Sequence, residues 1–430
     1  MTINELVVLL GDLPVGRVRH DARARLTPQG RLTFVYDPAW RSAVGAYPIS
    51  LSMPLALQEH GHDKIEPFLW GLLPDNETII ERWARRFGVS ARNAFALLSH
   101  VGEDCAGAIR FVRAERQAEI TLEGKGTVDW LNERDIAERL RILRADTSAW
   151  RKAADTGQFS LAGAQPKTAL LFDGKRWGVP SGRIPTTHIL KPGTPGLDGH
   201  AENEHLCLAV ASELGLPVAH SHVEHFEDQV AIAVERYDRI ETRTGIVRVH
   251  QEDICQALAV HPVRKYENEG GPGPRAIADL LREHSRNLDE DLLAFTEALI
   301  FNWLIGGTDA HAKNYSVLIG VEGAVRLAPL YDLASALPYA GTQARKLKLA
   351  MKIGGKYRLG EIGAYQWEKL GRELKLSEDR IRASLSRMTR AVVDVVPEVL
   401  RREQRQGLSH PILARLAKVL VERAKRVAVG

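Results

Sequence analysis

Asp309, Asn314 and Asp332 carry the oxygen atoms that a phosphoryl transfer needs. Such a reaction asks little covalent chemistry of a protein. It asks for a carboxylate beside the attacking hydroxyl and for oxygen ligands to the magnesium that bridges the phosphates. In GGTDAHAKN, residues 306–314, Asp309 is followed five residues later by Asn314. The first side chain can orient a hydroxyl and take its proton. The second can offer an amide oxygen to a metal. Asp332, in LYDLA at 330–334, adds a second hard oxygen of the kind magnesium prefers. Between them KNYSVLIG and GAVRLAPL alternate as two strands around Val321-Glu322-Gly323. A hairpin returns the chain to its start, so Asp332 is expected near Asn314. An Asp and an Asn at this spacing also occur in ordinary turns. The Gly-Gly-Thr approach, the hairpin and the second Asp favour the chemical reading. His311 reads either as a phosphate contact or as a structural histidine.

Three more segments fit around a nucleotide. Ala162-Gly163-Ala164 opens AGAQPK, which continues through Gln165 and Pro166 to Lys167. Its small side chains let backbone N–H groups approach phosphates. It is neither a Walker loop nor GxGxxG, and alone it reads more readily as a hairpin turn. Lys191 closes the strand HILKPG, ahead of a helix that carries Glu202 and Glu204. Its ammonium can hold phosphates while one of those glutamates holds the ammonium; the sequence does not choose between them. VERYDR at 234–239 ends a buried strand, where the backbone of Glu235, Arg236 and Tyr237 can meet an adenine edge. The alternative there is a strand running into a charged turn.

The elements that must position these groups follow in order. ELVVLL, VGRVRH and RLTFVY read as short strands, broken by Gly-Asp, Asp-Ala and Pro-Gln-Gly. Asp75-Asn76 caps a helix through Ile79, Ile80 and Trp83, and Ser90 caps the next. These give a small α+β domain, residues 1–115. Residues 116–250 hold a polar connector, with a helix near 133–142, and then a β-rich nucleotide-binding lobe. Residues 251–430 are mainly helical. The expected fold class is α+β: a β-rich N-terminal region, a helical C-terminal lobe and a cleft between lobes.

Composition narrows the class. The chain has 430 residues, 44% hydrophobic and 26% charged, enough for more than one core. Cys105, Cys207 and Cys255 lie far apart with no CxxC pair, which argues against zinc or disulfides and suits a reducing compartment. The N-terminal VVLL run is too short for a signal peptide, and Leu292–Ile305, with Glu297 and Asn302, reads as a buried core helix. A cytoplasmic protein with no membrane partner is expected. Net charge is +4, yet residues 401–430 hold eight Lys or Arg against two Glu. That run fits a phosphate-backbone contact or a solvated helix face.

With these residues in hand, the chain resembles the HipA kinase toxins of bacterial type II toxin–antitoxin modules. The resemblance runs nearly end to end. It rests on LLPDNE (72–77), GEDCAGAIRF (102–111), FSLAGAQPKTALL, THILKP, ENEHLCLAVA, VERYDR, HQEDICQAL, KYENEGGPG, WLIGGTDAHAKNYSV and LAPLYDLASALP. It implies a two-lobed, protein-kinase-like fold and an ATP- and Mg2+-dependent serine/threonine kinase. In that family's terms Asp309 is the catalytic base, and Asn314 and Asp332 hold magnesium. Ala162 to Lys167, Lys191, Glu235 to Tyr237, His311 and Tyr331 line the ATP site, and Ser160 is autophosphorylated. The implied partners are a helix-turn-helix (HipB-like) antitoxin, operator DNA through that complex, and a translation component such as an aminoacyl-tRNA synthetase. Two other readings stay open: a kinase-fold enzyme acting on a small molecule, and a non-catalytic antitoxin or DNA partner.

Overall fold

The computed structural model describes residues 4–21, 24, 31–121, 126–145, 159–194 and 196–429. The expected Pro28-Gln29-Gly30 turn and residues 146–157 of the expected connector lie outside the described residues.

The first strands are β1 (Glu5–Leu10), β2 (Leu13–Asp21), β3 (Arg31–Tyr36), β4 (Glu59–His60) and β5 (Ile109–Val112). They form an antiparallel sheet in the order β4-β3-β2-β1-β5. Strand β1, between β2 and β5, is covered on both faces, as its unbroken apolar run requires. Leu6, Val8 and Leu10 join the main N-terminal core, while Val7 and Leu9 meet Val112 and Ile120. Helices α1 (His62–Gly71), α2 (Glu77–Phe87) and α3 (Ala94–Val101) belong to the same unit. Asn76 alone caps α2, accepting the Thr78 and Ile79 amides. Asp75 has another task, described below. Asn93 caps α3 through the Ala96 amide, so the expected Ser90 cap is corrected. Ser90 instead accepts the Arg92 amide in the preceding turn.

A second antiparallel sheet holds β6 (Val128–Leu131), β7 (Thr168–Phe172), β8 (Trp177–Pro180), β9 (His188–Pro192), β10 (Ser221–Phe226) and β11 (Gln229–Glu235), in the order β10-β11-β9-β7-β8-β6. Helix α4 (Glu133–Ala145) packs on it and helix α5 (His200–Glu213) follows β9. Side chains alternate across a strand. In β11, Ala231 and Ala233 therefore join the N-terminal core, and Ile232 and Val234 join the helical core. The sheet is a wall shared by two cores. By the same alternation Leu190 of β9 faces the N-terminal core and its neighbour Lys191 faces the cleft.

The chain then makes the hairpin β12 (Arg239–Thr242) and β13 (Gly245–Arg248), and a three-stranded sheet of β14 (His250–Asp253), β15 (Ser316–Ile319) and β16 (Val325–Leu327). The helical lobe contains α6 (Pro274–His284), α7 (Leu288–Ile305), α8 (Glu378–Arg405) and α9 (Pro411–Val429). Helix α7 is buried along nearly its whole length and sits among α6, α8 and α9. Its Glu297 is met by Ser384 Oγ at 2.8 Å and the Arg387 guanidinium at 2.5 Å, which pays for burying the carboxylate. Helix α9 is amphipathic. Arg415, Lys418, Lys425 and Arg426 face outward, whereas the Arg423 guanidinium lies 5.0 Å from the Trp303 ring centroid. No helix among the described residues is long and apolar enough to cross a membrane.

A buried charge network ties the N-terminal unit to the rest. Asp104 meets Arg239 at 2.8 Å, Arg248 at 3.4 Å and Arg236 at 3.6 Å. Asp238 meets Arg236 at 3.0 Å, Arg239 at 3.1 Å and the Gly107 amide at 2.6 Å. The GEDCAGAIRF and VERYDR segments thus lock each other.

Candidate functional site

Helix α7 ends at Gly306, whose φ of 66° turns the chain out of the helix and into the 307–314 loop. There the Asp309 carbonyl accepts the His311 amide at 2.7 Å and the Asn314 Nδ2 at 3.0 Å. The five-residue spacing closes on itself. The Asp309 carboxylate stays exposed and accepts the Tyr266 hydroxyl at 2.5 Å. Because the Asn314 nitrogen is spent on Asp309, its amide oxygen is left as the donor atom.

Strands β15 and β16 form the expected hairpin, with Val317 opposite Leu327, and return the chain to Asp332. The Tyr331 hydroxyl shares a hydrogen bond of 2.6 Å with Ser316 Oγ and lies 2.8 Å from the Lys313 carbonyl. That residue pins the two ends of the hairpin together while its flank lines the cleft. Asp332 adopts φ 60°, a conformation uncommon outside glycine. Its side chain is 36% exposed and accepts Lys191 Nζ at 2.8 Å.

Lys191 also donates to Glu204 at 2.7 Å, so of the two candidate glutamates Glu204 is the partner. Burial pushes the Asp332 carboxyl up, but the Lys191 and Lys167 ammoniums outweigh it and hold the group well below the carboxylate range. Lys191 is raised on balance, with Asp332 and Glu204 overcoming burial.

Ala162 to Lys167 faces this pair across the cleft. Gly163 has φ 102°, which favours glycine, and a Cβ there would lie 2.5 Å from Lys167 Nζ, the movable end of its side chain. Lys167 Nζ donates to the Ala162 carbonyl at 2.7 Å. Gln165 Nε2 lies 3.4 Å from Thr194 Oγ1. Burial and the nearby Lys191 ammonium push Lys167 down to about 8, against the pull of Asp332, Asp75 and Glu204. A bound triphosphate favours the charged ammonium, so binding above this value takes up a proton. Nucleotide affinity is therefore expected to fall as pH rises from about 7 to about 9, and Lys167→Met should flatten that fall. Titration calorimetry in buffers of different ionisation enthalpy checks this; equal heats across buffers near pH 8.5, roughly mid-titration, would contradict it.

At the hinge, the Glu235 amide donates to His220 and the Arg236 amide to Thr187. Those two N–H groups belong to the sheet. The Arg236 guanidinium is buried against Asp238, Thr186 and Cys105, so it holds the domains together, and the Arg236 carbonyl accepts the Arg239 amide at 3.0 Å. The Tyr237 ring lies 6.0 Å from Tyr331, and its hydroxyl bonds to Gln251. His311 is buried edge-on to Tyr266 at 4.9 Å, with Nδ1 lacking a partner. Burial takes its pKa down to about 4, against the pull of Asp309. Ser160 is fully buried outside the cleft lining, its Oγ donating to the Leu72 carbonyl at 2.7 Å.

These segments surround one cavity of about 490 Å3, within the range of ligand sites. Asp75, Lys265 and Lys313 are among the lining residues that the sequence does not point to. Asp75, from the loop before α2, accepts Lys265 Nζ at 2.7 Å and Lys313 Nζ at 2.6 Å. Burial raises its carboxyl and the two ammoniums more than offset that, holding it at about 2. One carboxylate and one amide oxygen, Asp332 and Asn314, suit a magnesium ion that takes its remaining ligands from phosphate and water. Among the described residues no group of three or more His, Cys, Asp or Glu is set to hold a metal by itself.

Residues 159–396 match the HipA-like C-terminal domain family and residues 6–112 the HipA N-terminal domain family. The protein Y4mE of Sinorhizobium fredii is 34% identical over 93% of this chain and 93% of its own length. The serine/threonine-protein kinase toxin HipA of Shewanella oneidensis is 31% identical over 91% of this chain and 88% of its own. The solved complex of Shewanella oneidensis HipA, HipB and operator DNA contains a chain that superposes with a TM-score of 0.83 at 27% identity, covering 98% of this chain and 97% of that one. A two-lobed architecture, a cleft built from both lobes and similarity over nearly the whole length agree, and the chain belongs to the HipA family of serine/threonine-protein kinase toxins.

Proposed function

We propose that the chain transfers the γ-phosphoryl group of ATP to a serine or threonine hydroxyl of another protein. The observation that carries this reading is Lys191 bridging Glu204 and Asp332 in the cleft that also holds Asp309. In the reaction the substrate oxygen bonds to the γ-phosphorus, the bond to the β,γ-bridging oxygen breaks, and ADP leaves. Asp309 orients the hydroxyl and receives its proton. Lys191 and Lys167 place ammoniums against the phosphates, and Gly163 lets the backbone approach them. Magnesium, held through Asp332 and Asn314, would neutralise charge on the phosphates. The hinge at Glu235 to Tyr237, beside Tyr331, would meet the base through backbone groups other than the two N–H groups that the sheet uses. Residues 1–115, 116–250 and 251–430 act as the small domain, nucleotide lobe and catalytic lobe.

In cells we read the protein as a toxin that phosphorylates a translation component, of which an aminoacyl-tRNA synthetase is one candidate. A HipB-like helix-turn-helix antitoxin would bind it and carry the pair to operator DNA as a corepressor complex. The composition of the Shewanella oneidensis complex supports these partners. Growth arrest on expression, compared with Asp309→Gln and followed by phosphoproteomics, tests this. Equal arrest by the variant would remove kinase activity as the cause. Label from ATP in a small metabolite rather than a protein would favour a small-molecule enzyme.

Ser160 is read as the autophosphorylation site. Its Oγ sits 2.7 Å from a carbonyl oxygen in a fully buried position. A phosphate there adds about −1.5 to −2 charge at a position with no exposed surface. The 160–167 loop must then leave, and activity is expected to fall to background in the phosphorylated form. Mass spectrometry with turnover of that form checks this, and undiminished ATP turnover would defeat it.

A further inference from the structure

Asp75 belongs to the N-terminal domain, yet it reaches loops far along the chain. Its carboxylate takes Lys313, the residue before Asn314 in the catalytic loop, and Lys265, the residue before the Tyr266 that bonds Asp309. Lys265 and Lys313 are also tied through the backbone, because the Ala312 amide donates to the Lys265 carbonyl at 3.3 Å. All three charged side chains are mostly buried. The same short segment grips the phosphate loop. The Asp75 amide donates to the Gly163 carbonyl at 3.2 Å, Pro74 bridges to Gly163, and the Leu72 carbonyl accepts Ser160.

We propose that Asp75 is a positioning residue for phosphoryl transfer: through Lys313 and Lys265 it fixes Asn314 and the Tyr266–Asp309 pair, so the N-terminal domain completes the catalytic site. The inference rests on the kinase reading above. Its logic is mechanical. Asp309 is exposed and residues 307–311 form neither helix nor strand, so side-chain anchors add to the few backbone bonds that set the loop's place. Displacing reacting groups by about 1 Å costs roughly 100-fold in rate. The phosphate loop is held by the backbone of residues 72–75 rather than by the carboxylate, so a change of side chain at 75 should leave that loop in place.

The experiment is kcat and KM for ATP in the full-length protein, expressed per nucleotide-binding site counted by calorimetry. Asp75→Asn is expected to lower kcat per site by about 100-fold with a much smaller change in KM for ATP, and Asp75→Glu to recover much of it. Lys313→Met should lower kcat as well, and the double variant Asp75→Asn/Lys313→Met should lose little more than Lys313→Met alone. Wild-type kcat per site in Asp75→Asn, or losses that multiply in the double variant, would overturn the proposal. Should Asp75→Asn alone not fold because its lysines lose their partner, the neutral triple variant with Lys265→Met and Lys313→Met removes that burden. Low kcat per site in the triple then supports the proposal, and wild-type kcat overturns it. The wild type and Asp309→Gln run alongside: a wild type that transfers no phosphate sinks the kinase reading itself, and only an active wild type lets the Asp75 variants speak.

Discussion

Asp309→Gln is expected to lower kcat for protein phosphorylation by about 100- to 10,000-fold, the range that a positioned general base contributes. KM for ATP should stay unchanged. The geometry explains the split. Asp309 is exposed at the cleft mouth, and its contact is the Tyr266 hydroxyl rather than any cation that would face the phosphates. Glutamine keeps the hydrogen-bonding reach but cannot accept the substrate proton. Its loss of charge also leaves the backbone bonds of the loop intact, because these use the Asp309 carbonyl. Tyr266→Phe separates the two duties of the carboxylate. If Asp309 serves only to hold Tyr266, both variants will lose the same activity. If it is the base, Tyr266→Phe will retain much more. Steady-state kinetics on the two variants decides this.

Asp332→Asn is expected to reduce kcat/KM for ATP by about 1,000-fold, corresponding to several kcal/mol of charge stabilisation at the phosphates. Asparagine is the informative substitution. It tolerates the left-handed conformation that residue 332 adopts, so the backbone is undisturbed. Lys191 keeps Glu204 as a partner, so no buried cation is stranded and the fold should survive. What disappears is the negative charge available to magnesium. The dependence of rate on magnesium concentration should therefore shift to much higher values. An Asp332→Asn enzyme with wild-type kcat/KM and the same magnesium requirement would remove Asp332 from the metal's ligands.

The sequence carried the convergence of Asp309, Asn314 and Asp332, because a hairpin is a local device and its return is dictated by alternation and a turn. It carried Lys191 for a similar reason: a strand-end lysine after a buried position points away from the core. It could not choose between Glu202 and Glu204. Both are buried on a helix that is covered nearly all round from Ala201 to Leu208, so no polar stripe reveals its rotation. Asp75 was hidden more deeply. A Pro-Asp-Asn run before a helix has a sufficient local explanation as a cap, and its lysines lie 190 and 238 residues away. Arg236 likewise read as part of a hinge, while its side chain turns back into a network whose other members are dispersed over residues 104–248. The basic C-terminal run overstated the free charge, since Arg402 pairs with Glu213 and Arg423 covers Trp303.

The most direct test of the central claim is transfer of the γ-phosphate of labelled ATP by the purified protein, followed by mass spectrometry of the acceptor. The account predicts acid-stable label on serine or threonine that requires magnesium and vanishes in Asp309→Gln. Label confined to a small molecule, or equal labelling by wild type and Asp309→Gln, would contradict it.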